Sequence, residues 1–183
     1  GRRSQARLLQ RYALVVLHYT TNRTAWTWTN AVDEPHLIPH DGYWMSLRDE
    51  CTWYGVTCNT GGTIRALELG FLELQGILPR ELGLLSQLRT LDLHGNELQG
   101  VLPPKALSLW PKLEYLYLQM NGLFGALQRE VQELTSLTEM RLFGNFLRGT
   151  IPTGLGSLSK LQVVDLYANF LTGTIPTELG QLK

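Results

Sequence analysis

Few side chains in this sequence could carry reaction chemistry, and their spacing argues against it. The thiols are Cys51 and Cys58, two in all. Six intervening residues do not match the short zinc or redox spacings, and there is no second cysteine pair. Free thiols and a structural bridge both remain open on spacing alone. The four histidines are His18, His36, His40 and His94. His36 and His40 have helical spacing, but Pro39 lies between them and opposes a helix, so no metal site is expected. No Ser-His-Asp or paired-carboxylate constellation can be assembled, and the recurrent acids sit at strand-surface positions. The expectation is a non-enzyme with no cofactor and no metal. Asn22-Arg23-Thr24 is an N-glycosylation sequon, used only if the chain is secreted.

The elements that would position any site come from a repeat. Copies of a motif of about 24 residues begin at Ile64, Leu88, Leu113, Leu137 and Leu161. Counting each start as position 0, the clearest copy sets Leu161, Val164, Leu166, Asn169, Leu171, Gly173, Ile175 and Pro176 at 0, 3, 5, 8, 10, 12, 14 and 15. A fixed period of this length means a solenoid whose units bury their apolar edges against one another. Residues at 3 and 5 face inward and those between face outward, as in a short strand of a parallel sheet. Asn96, Asn121, Asn145 and Asn169 hold position 8. A recurring asparagine in an apolar column must be satisfied, so these side chains are expected to form a hydrogen-bonded ladder. Leu72 replaces it in the first copy, so the ladder starts one turn late. Glycine at position 12 in every copy predicts a positive φ or a close backbone approach. The Leu-x-x-Leu that follows predicts a helical or 3₁₀ turn on the convex side. A one-residue insertion near Trp110 in the second repeat is expected to be absorbed there.

Residues 1–63 are not repeat. An amphipathic helix is predicted from Ser4, its N-cap, to Tyr19, with Leu8, Leu9, Tyr12, Ala13, Val16, Leu17 and Tyr19 near one face and Gln10 elsewhere. Residues 22–50 read as an irregular loop pinned by Trp26, Trp28 and Trp44. The domain reading is thus a helical N-terminal cap over 1–63 and five repeats over 64–183. The fifth repeat stops at Lys183 without a polar cap, which suggests a longer chain or a covering partner.

Sixteen basic and sixteen acidic residues leave zero formal net charge, without the footprint of a nucleic-acid binder. The longest apolar run, Tyr12 to Leu17, is too short to span a bilayer.

The wording Leu-x-x-Asn-x-Leu-x-Gly-x-Ile-Pro-x-x-Leu-Gly, in Leu142 to Gly156 and Leu166 to Gly180, resembles the plant-type leucine-rich repeats. Cys51-Thr52-Trp53-Tyr54-Gly55-Val56-Thr57-Cys58 resembles the N-terminal capping motif of that family, in which the two cysteines pair. The resemblance implies an α/β solenoid, a right-handed superhelix with a parallel concave β-sheet. It also implies a stapling disulfide and an oxidising compartment, and hence a secreted or cell-surface protein. Such modules are receptor ectodomains or secreted inhibitors of wall-degrading enzymes, and they bind peptides, proteins or glycans on the concave face. The loop before Cys51 is longer than the family usually carries.

The candidate ligand-binding residues are therefore the outward strand positions: Asp92, His94, Tyr115, Tyr117, Gln119, Glu139, Arg141, Phe143, Asp165 and Tyr167. Exposed aromatics beside an arginine are the composition of interface hot spots. The rival reading is a structural, adhesion or assembly subunit that packs through its flanks and C-terminal edge.

Overall fold

Residues two apart on an extended segment share a face, so each Leu-x-Leu unit can bury one edge and stack on the next copy. The computed structural model describes residues 2–21 and 44–182 and builds that stack. In chain order it contains α1 (Arg2–Thr20), β1 (Val56–Cys58), β2 (Ile64–Glu68), β3 (Gln75–Ile77), β4 (Thr90–Asp92) and β5 (Glu97–Gly100). There follow α2 (Pro104–Leu107), β6 (Tyr115–Tyr117), β7 (Gly122–Ala126), β8 (Glu139–Arg141), β9 (Phe146–Gly149), β10 (Val163–Asp165) and β11 (Phe170–Leu171). The concave sheet has the order β1-β2-β4-β6-β8-β10, parallel except that β1 pairs antiparallel with β2. A second parallel sheet, β3-β5-β7-β9-β11, runs down the flank and was not foreseen from the sequence.

Leu67, Leu91, Leu116 and Met140 stand one behind another in the first sheet, fully buried. The turns after Pro79, Gln128, Pro152 and Pro176, which share position 15, are 3₁₀ at Arg80–Leu84, Arg129–Glu133, Thr153–Ser157 and Thr177–Gln181. In the repeat with the insertion, α2 takes this place, and Trp110 is buried with its indole N–H donating to Leu82 O at 3.1 Å.

The asparagines are satisfied entirely by backbone. Asn121 Oδ1 accepts from Leu98 N at 3.0 Å, and its Nδ2 donates to Leu93 O and Leu118 O at 3.0 and 3.1 Å. Asn145 and Asn169 repeat that pattern one and two turns on. Asn96 does more, because Leu72 has no side-chain amide to serve the first turn. It accepts from both Leu72 N and Leu74 N, at 2.9 and 3.0 Å, and donates to Leu69 O and Leu93 O.

Two features of the N-terminal cap correct the sequence reading. The helix begins at Arg2, so Ser4 stands inside its first turn rather than capping it. Its buried face is Gln10, Ala13, Leu14, Leu17 and His18, with Thr21 buried just past its end, whereas Leu8, Leu9, Tyr12 and Tyr19 are exposed. Gln10 explains the rotation. Its Nε2 donates to Gly62 O at 3.1 Å and its Oε1 accepts from Ile64 N at 3.0 Å, which closes the end of the first repeat.

Arg7 pairs with Asp49, and Arg11 donates to the carbonyls of Ser46 and Arg48 and faces the buried Glu50. Asp49 also accepts from Cys51 N at 3.0 Å; the Arg7 hydrogen bond, then this one, hold its carboxyl below the usual range. Cys51 and Cys58 form a disulfide across this corner. Trp44 is buried against Trp53 and donates to Tyr54 O. Asn22, Trp26, Trp28, His36 and His40 lie outside the described residues.

Candidate functional site

Outward residues of neighbouring parallel strands come within about 5 Å of one another, so a column in the sequence becomes a row across the concave face. The registers Tyr115↔Glu139, Tyr117↔Arg141 and Arg141↔Asp165 bring the predicted residues together. At the centre, Tyr117 OH donates to Glu139 Oε2 at 2.9 Å, and Arg141 donates to the same oxygen at 3.0 Å. The Arg141 guanidinium lies 5.5 Å from the Tyr117 ring centre. Tyr115 lies beside Tyr117, ring centres 6.1 Å apart. Burial chiefly, and then the bond to Glu139, push the Tyr117 phenol up to about 12. This tyrosine is neutral, a donor held in place.

Toward the last repeat, Phe143 and Tyr167 stack at 4.8 Å with only 13° between their planes. Asp165 joins them on the same strand face, its Oδ1 accepting from Tyr167 N at 3.4 Å. At the opposite end, Asp92 Oδ1 meets His94 Nδ1 at 2.5 Å, and Phe71 sets its ring against His94 at 4.5 Å, nearly perpendicular. Gly70 leaves room for this imidazole; a Cβ there would lie 2.6 Å from it. Gln119, between His94 and Phe143 in the row, keeps a sealed Oε1 that no described group donates to. The sequence columns thus resolve into an Asp92–His94 pair, a Tyr117–Glu139–Arg141 cluster and a Phe143–Tyr167 stack.

Phe71 was missed by sequence reasoning, although its signal was available at position 7. Phe71, Gly95, Met120, Gly144 and Ala168 hold that position, and all five have positive φ, from 52° to 65°. Glycine is not required there by conformation alone, since Phe71, Met120 and Ala168 adopt it too. At Gly95 the exposed Phe71 ring lies across the position: an added Cβ would come within 2.4 Å of that ring and displace it. A second missed surface is on the flank sheet, where Phe146 and Phe170 stack at 6.1 Å and Arg148 lies 5.6 Å from Phe170. Among the described residues there is no cluster of His, Cys, Asp and Glu that could hold a metal ion, and no helix long and apolar enough to cross a membrane.

A stacked parallel sheet with an asparagine ladder, behind a disulfide-stapled helical cap, defines a leucine-rich-repeat solenoid. The leucine rich repeat family model matches residues 87–109, 136–158 and 160–182. One chain of the BIR3–SERK2 complex from Arabidopsis thaliana is 31% identical, with 91% of this chain and 87% of that chain covered and a TM-score of 0.74. The ectodomain of the Arabidopsis thaliana receptor kinase GASSHO1/SCHENGEN3, solved with CASPARIAN STRIP INTEGRITY FACTOR 2, is 33% identical with a TM-score of 0.79. That match covers 94% of this chain and 20% of the receptor's. Phytosulfokine receptor 1 of Arabidopsis thaliana is 35% identical over 101 residues, 52% of this chain and 10% of the receptor. The chain belongs to the leucine-rich-repeat family and is homologous to the ectodomains of plant receptor-like kinases. It spans about a tenth of the length of the curated receptors it matches.

Proposed function

We propose that this protein is an extracellular recognition module that binds a protein, peptide or glycan through the concave face. It acts by shape and side-chain complementarity and carries no reaction chemistry of its own. The observation behind this reading is the Tyr117–Glu139–Arg141 cluster beside the Phe143–Tyr167 stack. Aromatic and arginine side chains held by mutual contacts on a sheet lose little freedom when a ligand arrives, so more of the contact energy appears as affinity. Homology to receptor ectodomains and the Cys51–Cys58 disulfide support an extracellular setting, and the sequon at Asn22 would then be a glycan acceptor.

The test is alanine at Tyr117 and at Phe143, with partner capture and thermal melting measured on the same samples. Loss of binding by variants that still melt cooperatively as folded protein supports the proposal. Retained assembly in both variants turns the reading to a structural subunit, for which the exposed Phe146–Phe170 stack on the flank is the contact surface to examine.

A further inference from the structure

The Asp92–His94 pair lies inside the concave sheet, with β2 on one side of its strand and β6 on the other. Asp92 Oδ1 accepts from His94 N at 3.2 Å and meets the imidazole at Nδ1. An ionised carboxylate can only accept, so the neutral ring must carry its proton on Nδ1. Nε2 is then the bare nitrogen. No described residue bonds it, and the side chain is 26% exposed. The ring is also held in direction. Gly70 leaves the space beside it, and the Phe71 ring stands nearly perpendicular at 4.5 Å.

The charged groups that face this pair are acids. Glu68 is the register neighbour of Asp92 on β2, and Tyr117 is its neighbour on β6, followed by the uncharged Gln119. The Tyr117 phenol is spent on Glu139, and Arg141 beyond it is spent on the same oxygen. At the start of β2, Arg65 donates to Gln87 O at 3.1 Å, and just before β4, Arg89 donates to Glu114 at 2.7 Å. Histidine is the side chain that ordinarily changes charge between about pH 5 and 8. Proton uptake here does two things. It offsets one of the two negative charges of Glu68 and Asp92, and it turns Nε2 from an acceptor into a donor. We infer that His94 makes recognition on this half of the concave face proton-operated: the neutral ring accepts an N–H or O–H of the ligand at Nε2, and protonation expels that group. The inference rests on the concave-face reading above and adds to it the polarity of one ligand group and the way its binding is regulated.

A peptide display library free of histidine, selected on the immobilised protein at about pH 7.5 and released at about pH 5.5, tests this. Released peptides should bind about fivefold more weakly at the lower pH, the scale of one hydrogen bond lost. His94→Gln, whose amide does not change charge, should remove that dependence. Nitrogen NMR of the ring in the protein alone gives a second readout: the proton should sit on Nδ1 at about pH 7.5, and Asp92→Ala should free it to move to Nε2. A proton found on Nε2 in the parent protein, a selection with no acid-released peptides, or a pH dependence that survives His94→Gln overturns the inference. The concave-face reading stands in each of these cases if the bound peptides are lost on Tyr117→Ala or Phe143→Ala. Peptides that ignore His94→Gln, Tyr117→Ala and Phe143→Ala alike overturn both.

Discussion

Asn96 and Asn121 look equivalent in the repeat, but replacing each with alanine should have unequal costs. Asn121→Ala leaves one backbone donor, Leu98 N, without its partner. The three carbonyls that Asn121 serves each keep another donor: Leu93 O retains Asn96, Leu118 O retains Asn145 and Gln119 O retains Gly95 N. Asn96→Ala orphans two donors, Leu72 N and Leu74 N. It also strips Leu69 O, for which the first turn has no second asparagine. An unsatisfied buried backbone group costs about 1–3 kcal/mol, and a lost but replaceable bond about 1 kcal/mol or less. Allowing for relaxation, Asn121→Ala should cost about 2–3 kcal/mol and Asn96→Ala about 4 kcal/mol. Urea unfolding followed by far-UV circular dichroism and by tryptophan fluorescence measures both. Coincident transitions establish that one cooperative event is compared. A cost for Asn96→Ala equal to or below that for Asn121→Ala would refute the reasoning that the missing first rung makes Asn96 carry a double share.

Two further outcomes are expected. Gly76 has φ of 105°, and a Cβ there would lie 2.0 Å from Thr20 O at the end of α1. Gly76→Ala should therefore destabilise the junction between cap and repeats by about 3 kcal/mol, read from urea unfolding. Tyr117, pushed up to about 12 from 10.0, keeps its proton in the folded protein after the unfolded chain has lost it. Its contribution to stability is complete below pH 10 and is lost as pH rises toward about 12, so phenolate absorbance should show one late-titrating tyrosine that Tyr117→Phe removes.

What was legible in the sequence was whatever recurs for a packing reason. The leucine columns and the asparagine column repeat because each copy meets the same neighbours, so register and ladder could be read before any coordinates. The outward columns could be located in the same way, but not their pairings. That Arg141 turns to Glu139 rather than to Asp165 depends on competing contacts of similar strength, which spacing cannot rank. The flank sheet was hidden because its exposed residues, Gln75, Ile77, Glu97, Gln99, Phe124 and Ala126 among them, mix polar and apolar types, although the backbone pairs regularly there. Gln10 was assigned to the wrong face because a polar type outweighed its spacing from Ala13, Leu14 and Leu17. Its amide is buried to serve the backbone of Gly62 and Ile64, and only a fold can reveal that. The Arg7–Asp49 contact joins residues 42 apart, beyond any local pattern.

The ring of Phe71 lying over Gly95 has a consequence for how this chain can change in length. Solenoids grow and shrink by whole units, and any unit is nominally exchangeable. Excision of residues 88–112 would move Met120, with its Cβ, into the place where an added carbon comes within 2.4 Å of the Phe71 ring. Excision of residues 113–136 instead places Gly144 after Gly95, and nothing at this column objects. At this column the second repeat carries the glycine that the exposed ring of the first repeat covers, so losing the second repeat alone displaces Phe71, whereas losing the third does not.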